Sequence, residues 1–179
     1  MDLSVDVIAK SCKVPSESVE ANWPLILGAL REQGIASMLT QVATAATVAV
    51  ETARTFQPIH EYGGPAYFTK HYEGRADLGN SLAGDGVRYH GRGFVQLTGR
   101  VNYHKVGAAL GLPLEENPDL ALDPAHAARI LAWFVRNHGV ARAAEIRDWR
   151  RTRLLINGGY NGWDDYIACV TSMLGGVHA

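Results

Sequence analysis

Cysteine is nearly absent: Cys12 and Cys169 are the only two in 179 residues, and neither belongs to a CxxC or Cys/His spacing. A disulfide scaffold and a cysteine-held zinc site are thereby excluded. Both thiols are expected to be free and buried, in a protein made in a reducing compartment. Long apolar runs are missing too, and none nears the roughly 20 residues needed to span a bilayer. The opening MDLSVDVIAK is acidic and mixed, so no secretory leader is expected there. The seven histidines include no HExxH and no close pair with carboxylate partners, so neither metal nor cofactor is expected. GRGFVQLTG is no phosphate loop, because no Gly-Lys-Ser/Thr follows it and no strand pattern precedes it. Internal repeats, low-complexity linkers and convincing alternating strands are also absent.

What is present is a composition 47% apolar and 20% charged, which suits one soluble globular domain over residues 1–179. The net charge of −1 conceals an asymmetry: residues 1–87 sum to −4, residues 88–153 to +5 and the last 26 to −2. A surface polarised in this way attracts polyanions. The Arg-rich RDWRRTR lacks aromatic interleaving or a recognition-helix pattern, so no nucleic acid partner is expected.

Helix signals are good. Asn22 precedes WPLILGALREQG, with Pro24 in the first turn and Gly34 just past the end. Ile35, Met38, Leu39, Val42, Ala45 and Ala46 follow helical spacing in IASMLTQVATAATVAVETART, whose threonines and valines require burial to hold it. That helix should be central. TGRVNYHKVGAALG ends at Gly111, and DPAHAARILAWFVRNHG starts on Asp123 and Pro124 and stops at Gly139. ARAAEIRDWRRTRLLI reads as one further helix and WDDYIACVTSML as the last, with GGVHA (175–179) a frayed tail or linker start. The fold class is mainly α, with a long irregular loop region between Gln57 and Gly93 and at most a short β-hairpin in it.

Two carboxylates stand out. Glu51 closes the apolar central helix, where partial desolvation would keep it protonated, as a general acid requires. The spacing equally allows an ordinary pairing with Arg54 or Arg75. Glu73 lies in HYEGRADLGN beside Gly74 and Arg75, where a solvated carboxylate can act as base, although a lone Glu there is more often plain surface. A core-rooted carboxyl, a second on an adjacent loop and a polar-aromatic run after both is the layout of a glycosidase.

The segments VETARTF, YEGRADLGN, GDGVRYHGRGFVQLTGRVNYHKVG and LLINGGYNG occur in this order across roughly residues 36 to 170. They resemble glycoside hydrolase family 19, the plant-type chitinases, and most closely its bacteriophage endolysin branch. The resemblance implies a lysozyme-like bilobed helical domain with a substrate cleft between the lobes. It implies Glu51 as general acid, Glu73 as general base, and Thr98 as the hydroxyl that helps hold the attacking water. Gln96, Asn102 and Asn157 match positions that hydrogen-bond the sugar, and Tyr89, Arg92 and Tyr103 are expected to line the cleft. The run 88–103 would thus be a sugar-binding wall, with rings to stack on pyranose faces. An inverting mechanism is implied, with the two carboxyls about 6.5–9.5 Å apart.

Departures from the family pattern bear on substrate. Val50 stands where a histidine is usual, Ala53 and Arg54 stand where glycines are usual, and Asn161 replaces a glutamate of the chitinase ion-pair network. The change at Asn161 favours the peptidoglycan glycan strand as partner, with a chitinase as the alternative; the altered surroundings of Glu51 keep a non-catalytic wall-binding module as a further alternative. Synthesis in a host cytoplasm, holin-type release to the bacterial cell wall, and a monomer or one module of a longer lysin complete the expectation.

Overall fold

The computed structural model describes residues 2–177. Among them are ten α-helices: α1 (Val5–Cys12), α2 (Ser16–Glu32), α3 (Met38–Glu51), α4 (Pro65–Tyr72), α5 (Asp85–Arg88), α6 (Arg100–Leu110), α7 (Pro124–Asn137), α8 (Val140–Glu145), α9 (Trp149–Asn157) and α10 (Trp163–Val177). Two short strands, β1 (Ile59–His60) and β2 (Arg92–Gly93), pair antiparallel, with Ile59 opposite Gly93.

The mainly helical class is as the sequence implies, and α3 is indeed central. Ser37 caps it by accepting from the Thr40 N–H, and Val42, Ala43, Ala45, Ala46, Val48 and Ala49 are fully buried. Each such valine contributes about 1.5–3 kcal/mol by leaving water. The threonines that lower its propensity are buried without penalty. Thr44, Thr47 and Thr52 donate their hydroxyls to the carbonyls of Thr40, Ala43 and Val48, one turn back.

Around α3 lies the larger core, drawn from α1, α2, α7, α8 and α10. A second, smaller cluster gathers Tyr89, Leu97, Tyr103, Val106, Leu114, Ala121 and Ile130. These two cores are the two lobes.

Several boundaries differ from the sequence reading. The second helix starts at Ser16, so Pro24 is interior and Asn22 is no cap. Asn22 is buried, and its amide donates to the carbonyls of Ser18 and Phe56. The segment 141–156 is two helices, because Arg147 takes a positive φ of 56° and Asp148 caps a new start by accepting from the Arg151 N–H. The β pairing is no hairpin, since its partners lie more than thirty residues apart. The region 57–93 is less irregular than its texture suggests, because it holds α4 and α5. Gly175 to Val177 continue α10, and residues 178 and 179 of the expected tail lie outside the described residues. Helices α6 and α7 end as expected, on Gly111 (φ 66°) and just before Gly139 (φ 76°).

Candidate active site

Glu51 is the last residue of α3, with its side chain 12% exposed. Neither Arg54 nor Arg75 is its partner: Arg54 pairs with Asp165 and Arg75 with Asp77. Instead the guanidinium of Arg153 on α9, 2% exposed, lies 2.5 Å from Glu51 Oε1. Asn157, one turn further along α9, directs Nδ2 to the same oxygen at 3.4 Å. Arg153 is held in turn by the Asn161 carbonyl, to which Nε donates at 2.9 Å and Nη2 also donates. Glu51 therefore sits against a buried cation as well as against the core. Glu51 Oε2 has no protein partner among the described residues, while Asn157 Oδ1 is buried with none.

The α9–α10 turn must come close to make this cluster. Gly162 has a φ of 69°, and a Cβ on it would stand 2.6 Å from Val50 Cγ1 and 3.5 Å from Arg153 Nη2. Immediately after Glu51 the backbone is left-handed at Ala53 (φ 48°) and Arg54 (φ 64°). These are the positions at which the resemblance implies glycine. Thr52 secures this turn, because its fully buried hydroxyl accepts the Phe56 N–H at 3.0 Å.

Glu73 caps the end of α4 and is half-buried. No arginine holds it. Its Oε1 accepts the Gly84 N–H at 2.6 Å and its Oε2 accepts the Gly86 N–H at 2.8 Å, both at the start of α5. A carboxylate is the natural acceptor for such paired amides. Gly86 is required by proximity: a Cβ there would meet Glu73 N at 2.7 Å and Phe68 O at 2.9 Å.

Of the run 88–103, Gln96, Thr98 and Asn102 line one cleft of about 230 Å³ between the lobes. The Thr98 hydroxyl donates to the Gln96 carbonyl at 2.8 Å, leaving its lone pairs to accept from a ligand. Asn102 is exposed and donates Nδ2 to the Thr98 carbonyl. Gln96 has a φ of 53° and spends its amide hydrogens on the carbonyls of Ile59 and Gly93, so only its Oε1 is left for a sugar. Glu51 and Glu73 are not among the walls; Ile156, adjacent to Asn157, and Leu78, five residues beyond Glu73, are.

Tyr89, Arg92 and Tyr103 do not line this cleft. Tyr89 is 2% exposed and donates to the Glu115 carbonyl, and Tyr103 is fully buried and donates to the His90 carbonyl. Burial pushes the Tyr103 phenol up to about 12. Arg92 pairs with Asp119 at 2.7 Å and donates to Tyr103 Oη and to the carbonyls of Arg88 and His90. The two tyrosine rings instead build the smaller core, packed with Leu97, Val106, Leu114 and Ile130.

The family model described as "Chitinase class I" matches residues 28–144, which is most of the chain. The chain belongs to glycoside hydrolase family 19. A glycosyl hydrolase family 19 domain-containing protein of Haemophilus influenzae is 32% identical over 94 residues, covering 52% of this chain and 45% of that protein. Chitinase 11 of Oryza sativa is 46% identical over 56 residues, covering 31% of this chain and 22% of that one. The chain thus spans less than half the length of either relative. The solved structure of chitinase C from Streptomyces griseus superposes with a TM-score of 0.66 at 20% identity, over 96% of this chain and 90% of that one. That likeness carries the fold: a family 19 domain, lysozyme-like and helical.

Two features of this family 19 site escape the sequence reading. Arg153 lies in RDWRRTR, one turn before Asn157, and the inward face Thr152, Arg153, Ile156 of α9 is the signal that could have found it. Glu61 is a further carboxylate of the loop region, accepting from Tyr72 Oη at 2.5 Å and the Gly91 N–H at 3.1 Å, which ties α4 to β2.

Proposed function

We propose that this chain is an endolysin-type glycosidase domain that hydrolyses β-1,4 bonds in the glycan strands of peptidoglycan, with inversion. The observation that carries the reading is the unlike seating of the two glutamates. Glu51 has one oxygen committed to Arg153 and one without a protein partner. Glu73 has both oxygens on backbone amides, each keeping a second lone pair. Glu51 Oε2 would carry a proton to the leaving glycosidic oxygen while Glu73 takes one from water. That water's hydroxide part forms the new bond to the anomeric carbon on the face opposite the departing sugar. The Thr98 hydroxyl would accept a hydrogen bond from this water, and Asn102 and Asn157 would hold sugar hydroxyl and amide groups.

Peptidoglycan is preferred because position 161 supplies Arg153 with a carbonyl and no second carboxylate, unlike the network the chitinase resemblance implies. The names of the relatives support chitin as the second reading. The setting that goes with the first is synthesis in a bacterial host, holin-type release and action at the wall; among the described residues no helix is long and apolar enough to cross a membrane.

Mass spectrometry of fragments released from purified peptidoglycan tests the substrate. Reducing ends on muramic acid are expected, and digestion of chitin oligomers with the wall untouched would replace this reading by the chitinase. NMR of the first product tests the stereochemistry. The α-anomer should appear first, and a β-anomer would refute inversion. A protein that binds glycan without releasing reducing ends would be a wall-binding module.

A further inference from the structure

The aromatic wall expected of residues 88–103 is absent from the cleft, yet the cleft has one. It comes from the end of α7. Trp133 and Phe134 line it together with His138, which stacks on Phe134 at 3.8 Å and meets Trp133 edge-on at 5.8 Å. Facing them from α6, one turn beyond Asn102, is Lys105, whose Nζ lies 5.7 Å from the centre of the Trp133 ring. Lys105 is exposed and makes no ion pair among the described residues, whereas Arg92, Arg100 and Arg153 each have a carboxylate. No Asp or Glu is among the described residues that line this cleft, Glu51 and Glu73 lying outside its walls, so Lys105 is the one formal charge on the lining itself. His138 adds none at neutral pH: burial, and then the charge of Lys105, hold its imidazole below the ordinary histidine range.

A neutral polymer of N-acetylglucosamine offers such a cation only uncharged hydroxyl and acetamide oxygens, whereas an acidic sugar offers a carboxylate and a stronger, charge-assisted hydrogen bond. We infer that Lys105, with the Trp133 ring beside it, is the subsite for the carboxylated unit of the glycan strand. The ring supports the pyranose face while the ammonium meets the acid on its side chain. This inference rests on the peptidoglycan reading above and adds the residue that would tell peptidoglycan from chitin. The acid has two sources: the lactyl carboxylate of a bare muramic acid, or a carboxylate of the attached stem peptide.

The test is calorimetric binding in a Glu51→Gln background, which slows turnover. The ligands are three tetrasaccharides: neutral chitotetraose, the alternating muramic acid oligomer, and that oligomer with stem peptides. Lys105→Met should weaken the carboxylated ligands about tenfold more than chitotetraose, and Lys105→Arg should restore most of the loss. A larger effect on the bare oligomer assigns the lactyl group, and a larger effect on the substituted one assigns the stem. Equal weakening of all three, no weakening, or no binding of either carboxylated ligand overturns the subsite. Because Lys105 is exposed, thermal melting of the variants should stay within a degree or so of the parent. The function is scored separately: release of reducing ends from peptidoglycan by the unmutated protein sustains the glycosidase reading even if Lys105 proves irrelevant, and its absence sinks that reading even if the subsite binds.

Discussion

At the scale of single residues, the consequential neighbours are Arg153 for Glu51 and the Gly84 and Gly86 amides for Glu73. Replacing either glutamate by glutamine keeps its shape and removes its proton chemistry. Each change should cost about 10²–10⁴-fold in the rate of reducing-end release. Melting temperature should change little in Glu73→Gln and fall in Glu51→Gln, which leaves the buried Arg153 cation without its carboxylate. A variant retaining most of its activity would remove that residue from the mechanism. Arg153 has a different signature. Its charge is buried against Glu51, so Arg153→Met strands a carboxylate and two bonds to the Asn161 carbonyl. Destabilisation of about 3–5 kcal/mol is expected in denaturant titration. A loss under 1 kcal/mol would mean that the pair contributes little to the fold. The inward turn of Arg153 could be read from the helical face it shares with Thr152 and Ile156, but its pairing with Glu51 could not, because 102 residues separate the two.

At the scale of elements, the exit from α3 carries strain. Ala53 and Arg54 are both left-handed, a conformation that costs an L-residue roughly 1–2 kcal/mol and glycine little. Ala53 is exposed and makes no side-chain bond, so Ala53→Gly should stabilise by about 0.5–1 kcal/mol after the entropy of the unfolded chain is counted. Thermal melting checks the sign, and a destabilised variant would show the turn to be unstrained. At the opposite ends of the chain, α1 and α10 bring Cys12 and Cys169 together as free, buried thiols, as the sequence suggested. The register is set by Ser11–Ser172 and by Arg54, which donates to the Cys12 carbonyl and pairs with Asp165. The hydrogen bond to Cys169, then burial, pushes the Cys12 thiol far up. Iodoacetamide should therefore leave Cys12 unmodified in the native protein and label it only after unfolding. An adduct on Cys12 under native conditions would contradict the packing of α1 on α10.

For the whole molecule, the smaller lobe should make stability depend on pH. His90 stacks on Phe68 at 4.3 Å and contacts His60 at 3.0 Å, with Arg92 and Glu61 nearby. Burial, foremost, holds His90 below the ordinary histidine value of 6.5. The unfolded chain therefore takes up its proton first as pH falls, so stability drops below about pH 6.5 until the folded imidazole also protonates. Melting temperature should fall between about pH 7.5 and pH 5, less steeply in His90→Gln. A slope unchanged in that variant would place the titration elsewhere. The sequence alone determined the helical class, the caps at Asp123, Gly111 and Gly139, the central place of α3 and the family motifs, because propensity, capping and apolar spacing act within a few residues of one another. Tertiary structure decided which side of the 88–103 run faces the cleft, sending Tyr89, Arg92 and Tyr103 inward and leaving Gln96, Thr98 and Asn102 at the wall. It also chose Arg153 for Glu51 and brought Trp133 opposite Lys105. Those choices follow from how two lobes fill their cores against each other, a competition for buried volume that no local pattern encodes.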